Sequence, residues 1–141
     1  MRRFIILFVL IALNLSCQSS SDFSRAPVEG EFVVIDIDSL KDSKPLFYSI
    51  NFGRKTVNFF VLKIGDRVES YLDACMKCYP HKKGFRVDGF YLVCRWCNER
   101  YPLDELKRGF GSCYPIPLQG SIKGNFYKIK LSVLKRAVKF F

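Results

Sequence analysis

Short apolar runs, rich in β-branched and aromatic residues, recur along this chain between clusters of turn residues. The repeat is that of strands, not of helices. Residues 32–37 (FVVIDI) predict a first strand, and 38–45, with Asp, Ser, Lys and Pro, a loop. Residues 46–52 (LFYSINF), 56–64 (TVNFFVLKI) and 67–72 (RVESYL) predict three more strands. Gly53 and Gly65 supply the turns between them, which reads as an antiparallel meander. Residues 85–93 (FRVDGFYLV) predict a hairpin turning at Asp88-Gly89, and 103–107 a single helical turn. Residues 110–117, with two prolines and a glycine beside the cysteine, predict a loop. Residues 125–131 (NFYKIKL) predict a last strand. Ser132 then caps a terminal helix over 133–141, whose Val133, Leu134, Ala137, Val138 and Phe141 share one face. That face is expected to pack on the sheet.

The N-terminal pattern differs in kind. Arg2-Arg3 precede an apolar run over 4–15, too short for a membrane span of roughly 20 residues but right for an export signal. Cys17 follows in a Ser-rich setting, as in a bacterial lipoprotein signal, where the cysteine becomes the lipidated N-terminus; the alternatives are an uncleaved short anchor and a plain secretory signal. Asn14 stands where such signals usually carry Leu. The expected organisation is a signal over 1–17, a polar tether over 18–30, and one β-rich domain over 31–141. The formal net charge is +10. On an exported, lipid-anchored protein a basic surface faces anionic headgroups, and nucleic acid is not an expected partner.

Chemistry concentrates in residues 71–118, which hold five of the six cysteines. Cys75 and Cys78 form one Cys-x-x-Cys pair, and Cys94 and Cys97 a second, with fifteen residues between the pairs. Two such turns can close a tetrahedron of thiolates around one ion. Two disulfides, or one disulfide and two thiols, use the same residues. With Cys17 lipidated, however, five cysteines remain, and an odd number cannot all pair. A bound metal also protects thiols where oxidation is the rule. Spacing does not separate zinc from iron or from a cluster. Cys113 is a further ligand, a free thiol or a link to a partner. A nucleophilic role lacks a base other than His81, the only histidine.

The same stretch carries Lys77, His81, Lys82, Lys83, Arg86, Arg95, Arg100, Lys107 and Arg108, positive charge that can balance thiolates. Asn98 after the second pair tolerates the left-handed backbone that such turns use. Pro80 after the first pair has no N–H to give, so the two turns are unequal.

Four segments together resemble the FtrD-like family of membrane iron–sulfur proteins. They are Asp73-Ala74-Cys75-x-x-Cys78-Tyr79-Pro80, Lys83-Gly84-Phe85, Val93-Cys94-x-x-Cys97, and Gly111-Ser112-Cys113-Tyr114-Pro115-x-Pro117-Leu118. The resemblance spans about residues 45–130. Ser112, Tyr114 and Phe85 depart from the family's usual Gly, Asn and Tyr. It implies Cys75, Cys78, Cys94, Cys97 and Cys113 as metal or cluster residues, with roles in iron uptake and redox steps at the bacterial envelope.

The expected fold is therefore mainly β (α+β). A meander leads into a two-knuckle, four-cysteine metal site of the zinc-ribbon or rubredoxin kind, and a short helix ends the chain. The expected function is that of an exported, membrane-tethered iron or iron–sulfur protein, not an enzyme, working with envelope redox or iron-transport proteins. One alternative is a structural-zinc binding module acting through exposed aromatics (Phe85, Phe90, Tyr91, Trp96, Tyr101, Phe110). Another is a thiol–disulfide oxidoreductase using Cys94 and Cys97.

Overall fold

The computed structural model describes residues 22–109 and 111–141. The signal segment, Cys17 and Phe110 lie outside the described residues. Twelve strands are present among those described: β1 (Ser24–Arg25), β2 (Val28–Glu29), β3 (Phe32–Asp36), β4 (Leu46–Phe52), β5 (Lys55–Ile64), β6 (Arg67–Cys75), β7 (Phe85–Asp88), β8 (Tyr91–Cys94), β9 (Arg100–Pro102), β10 (Pro115–Pro117), β11 (Ser121–Lys123) and β12 (Phe126–Lys130). One helix, α1 (Leu131–Arg136), follows.

Strands β4, β5 and β6 form the expected antiparallel meander, the centre of a five-stranded sheet ordered β1-β4-β5-β6-β10. Strand β3 is not part of it. It pairs with β12 in a second sheet ordered β11-β12-β3-β2. The loop after β3 carries the chain from one sheet to the other, so nearness in sequence does not become pairing. Residues 24–29, read from sequence as tether, also join the sheets. β1 runs parallel to β4, β2 pairs with β3, and Ala26 between them is buried. The third sheet, β7-β8-β9, begins with the predicted hairpin. Asp88 pairs with Tyr91, so the turn residues are Gly89-Phe90, one position later than expected.

The central sheet has two covered faces, and alternation along β5 sorts its side chains between them. Val57, Phe59 and Val61 face a core shared with Val33 and Ile35 of β3, Ile129 of β12 and Leu134 of α1. Phe60 and Leu62 face a second core with Phe85, Leu92, Tyr101 and Leu106. Fully burying each of these aliphatic or aromatic side chains is worth about 1.5–3 kcal/mol relative to leaving it in water. Strand β6 sorts in the same way. Leu72 and Ala74 enter the first core, Tyr71 and Cys75 the second.

The terminal helix packs as its apolar stripe predicts, with Leu134 and Ala137 buried and Lys135, Arg136 and Lys139 exposed. It begins earlier than expected. Lys130 occupies the cap position without a side-chain bond, and Ser132 lies exposed within the helix. The Leu131 N–H donates to the Glu31 carbonyl (2.8 Å), and that tie to the second sheet sets the start. After Arg136 the chain tightens into a 3-10 turn over Ala137–Phe140.

Candidate metal centre

Three chain segments deliver sulfur to the second core. Alternation along β6 puts Glu69, Tyr71, Asp73 and Cys75 on one face of the strand. The chain then turns, the Cys78 N–H donating to the Cys75 carbonyl (3.1 Å), and Tyr79–His81 form a short 3-10 turn. The second segment leaves β8 at Cys94, which pairs with Phe85 of β7. Asn98 N–H donates to the Cys94 carbonyl (2.9 Å), and Asn98 has φ +60°, the left-handed conformation expected of it.

The third segment corrects the sequence reading. Residues 110–117 are not all loop, because Pro115–Pro117 forms β10, the edge strand beside β6, in which Pro115 pairs with Cys75. The Met76 N–H donates to the Tyr114 carbonyl (2.9 Å). These contacts bring Cys113 up against the first Cys-x-x-Cys turn.

All five cysteines meet there as free thiols. The sulfurs of Cys75, Cys78 and Cys94 lie within 4.8 Å of one another, as do those of Cys78, Cys97 and Cys113. Cys78 belongs to both groups. Cys97 also hydrogen-bonds with Cys94. Cys75, Cys78 and Cys94 are buried, Cys113 is half-buried and Cys97 is exposed, so the site has a closed end and an open one.

The two turns treat their sulfurs differently, and the backbone explains why. The N–H groups of Trp96 and Cys97 reach the Cys94 sulfur, and the Glu99 N–H reaches that of Cys97. Burial raises the Cys97 thiol pKa, but the Glu99 amide and the neighbouring thiols outweigh it and hold the group below its ordinary value. Cys78 occupies the matching place in the first turn, and two residues on stands Pro80, which has no N–H. Burial, then the neighbouring sulfurs, push the Cys78 thiol far up. Burial is also the first cause that raises Cys94 and Cys113. Crowded, buried thiols resist carrying several negative charges at once, and a cation between them relieves that cost.

Two residues support the site whose roles the sequence reading missed. Tyr101, placed on a binding surface only by the zinc-module alternative, is buried, and burial, then the neighbouring sulfurs of Cys75, Cys113 and Cys97, raise its hydroxyl pKa. It sits on the three-residue strand β9, too short to leave a pattern. Asp73 accepts the Phe85 N–H (2.8 Å), which ties β6 to the start of β7. Its signal was legible, in the alternation of Glu69, Tyr71, Asp73 and Cys75. Gly84 fits against this carboxylate at φ +63°, where any Cβ would collide with it. Arg95 closes the same corner by donating from Nε to the Phe85 carbonyl (2.8 Å).

Most of the positive charge in the stretch is engaged away from sulfur. Arg86 and Arg100 pair with Asp88, Arg108 with Glu105, and Lys107 with Glu69. Lys77 acts on Cys113. His81 stacks on Trp96, ring centroids 3.6 Å apart. Of the aromatics considered as a binding surface, Phe85 and Tyr101 are core, while Phe90, Tyr91 and Trp96 are exposed.

The fold and the sulfur cluster define a β-rich protein with a thiol-only cluster, of a kind that can hold a metal ion, between its central sheet and a small three-stranded sheet. Such a donor set suits thiophilic metals and iron–sulfur clusters rather than hard cations. The chain belongs to the FtrD-like family, described as membrane iron–sulfur containing proteins, whose model matches residues 40–141. No curated protein and no solved structure matches it. Among the described residues no helix is long and apolar enough to cross a membrane.

Proposed function

We propose that this is an exported, lipid-anchored protein that binds iron or an iron–sulfur cluster and serves iron uptake or electron transfer at the bacterial envelope. The carrying observation is the convergence of Cys75, Cys78, Cys94, Cys97 and Cys113 into two sulfur groups that share Cys78. Both groups consist of cysteine alone. Iron held by thiolates supplies one-electron chemistry. The chain's own contribution is to present five thiols without disulfides, to keep three of them from solvent, and to leave Cys97 at an exposed edge. Amides aimed at the sulfurs of Cys94 and Cys97 stabilise the ligated thiolate form. The membrane description of the family and the lipoprotein-like signal ending at Cys17 support a place at the envelope.

Anaerobic purification, with metal analysis and a visible spectrum, tests the reading. Iron with sulfur-to-metal charge-transfer bands is expected. A colourless protein carrying zinc would replace it with the structural-zinc module. Membrane fractionation of Cys17→Ala tests the anchor, with release from the membrane fraction expected.

A further inference from the structure

A cleft of about 430 Å³ opens beside the sulfur site, and Cys75, Cys78 and Cys94 form part of its lining. Its size is that of a small-molecule site, and its other walls are of two kinds. Lys82, Lys83 and Arg95 set three cations against one side-chain carboxylate, Asp73, which already accepts the Phe85 amide, and Phe141, whose main-chain oxygen accepts from Lys55 (2.8 Å), also lines the cleft. Phe23, Phe140 and Trp96 add aromatic surface. The Trp96 indole is 50% exposed and stacks on His81 with their planes 8° apart, so a flat ring stands ready at the rim.

We infer that this cleft binds a planar organic anion, with its flat body against the aromatic side chains and its carboxylate, sulfonate or phosphate near Lys82 and Lys83. Aromatic surface favours a flat π-system, and clustered ammonium and guanidinium groups favour negative charge. The placement puts such a molecule directly against the thiol site, as cofactor or substrate of the function proposed above. A plain charge-balancing role for the two lysines is the competing account.

Trp96 is the only tryptophan in the chain, so its fluorescence reports the cleft directly. The full-length protein as purified is titrated with anthraquinone-2,6-disulfonate and, separately, with flavin mononucleotide. Saturable quenching by at least one is expected, weakening about tenfold in the Lys82→Ala/Lys83→Ala double variant and with rising salt. A Lys123→Ala/Lys128→Ala control on β11 and β12 should bind as the parent does, and circular dichroism checks that each variant is folded. Linear, unsaturable quenching, or binding indifferent to both salt and the loss of Lys82 and Lys83, overturns the inference. Metal content, measured on the same samples, reads the thiol site independently. A protein without iron that still binds the anion refutes the functional reading and leaves the cleft standing. An iron-loaded protein that binds neither probe does the reverse.

Discussion

The two faces of the central sheet are built from the same strands but held in different ways. One is closed by a second sheet and a helix, with Val57, Phe59, Val61, Ile35, Ile129 and Leu134 in contact. The other begins as aromatic packing, with Phe60 stacked on Tyr71 and edge-on to Phe85, and ends on sulfur at Cys75, Cys78 and Cys94. The first face has many long-range strand pairings behind it. The second is covered by short strands and turns from residues 76–109 and 111–114, whose own regular structure is slight. A metal is worth most where packing is least able to hold the chain alone, because its binding energy then becomes folding energy. The stability of the molecule should therefore divide between apolar burial on one side and ligation on the other.

Three changes test that division. Phe59→Ala opens a hole in the first core and should cost about 3–5 kcal/mol, read from the urea midpoint at unchanged slope. The molecules still folded should keep the metal stoichiometry of the parent. If they lose metal in step with stability, the two faces are not separable. Cys78→Ser acts on the opposite side and should weaken metal retention by about 100-fold or more in a competition assay with a chelator. Cys113→Ser, which touches one sulfur group and not both, should do less. Hydrogen exchange should then rise in β7, β8 and β9 while β3 and β12 stay protected.

Glu69 gives a smaller effect with a sign. Burial works against its charge, but the Tyr71 hydroxyl (2.7 Å), Lys107 (2.9 Å) and Arg67 (3.3 Å) hold the carboxyl below its ordinary value. A depressed pKa stabilises the fold above the unfolded value and is lost as pH falls through the folded one. Glu69→Gln should therefore cost about 1–2 kcal/mol at neutral pH, discounted because Lys107 and Arg67 are exposed, and should flatten the acid limb of the stability curve. An acid limb unchanged from the parent would remove Glu69 from the account. Smallest is Asn98→Ala, about 1 kcal/mol for a left-handed residue, with Asn98→Gly close to the parent by thermal melting.

What the sequence made legible follows the range of the interactions involved. The limits of β4, β5 and β6 come from local alternation and Gly turns, and they were readable to within a few residues. The left-handed Asn98 and the inequality of the two Cys-x-x-Cys turns were readable for the same reason, since each depends on one residue's backbone chemistry. The partner of β3 was not, because Ile129 and Val33 meet across most of the chain and no local pattern announces it. The strand that places Cys113 was hidden in another way. Pro115 and Pro117 argue against a strand wherever both edges are paired, yet β10 pairs on one side only. The support that Tyr101 gives the site was not legible either, because a lone aromatic on a three-residue strand does not announce what it packs against.

The prolines of β10 have an effect beyond guiding Cys113. A sheet ending in an ordinary strand offers open donors to any other strand that drifts alongside, which is how folded proteins come to polymerise edge to edge. Here the outermost strand next to β6 is three residues long, and two of the three have no donor to offer. That margin of the sheet resists growth by strand addition, so crowding copies of the molecule together need not turn them into fibres.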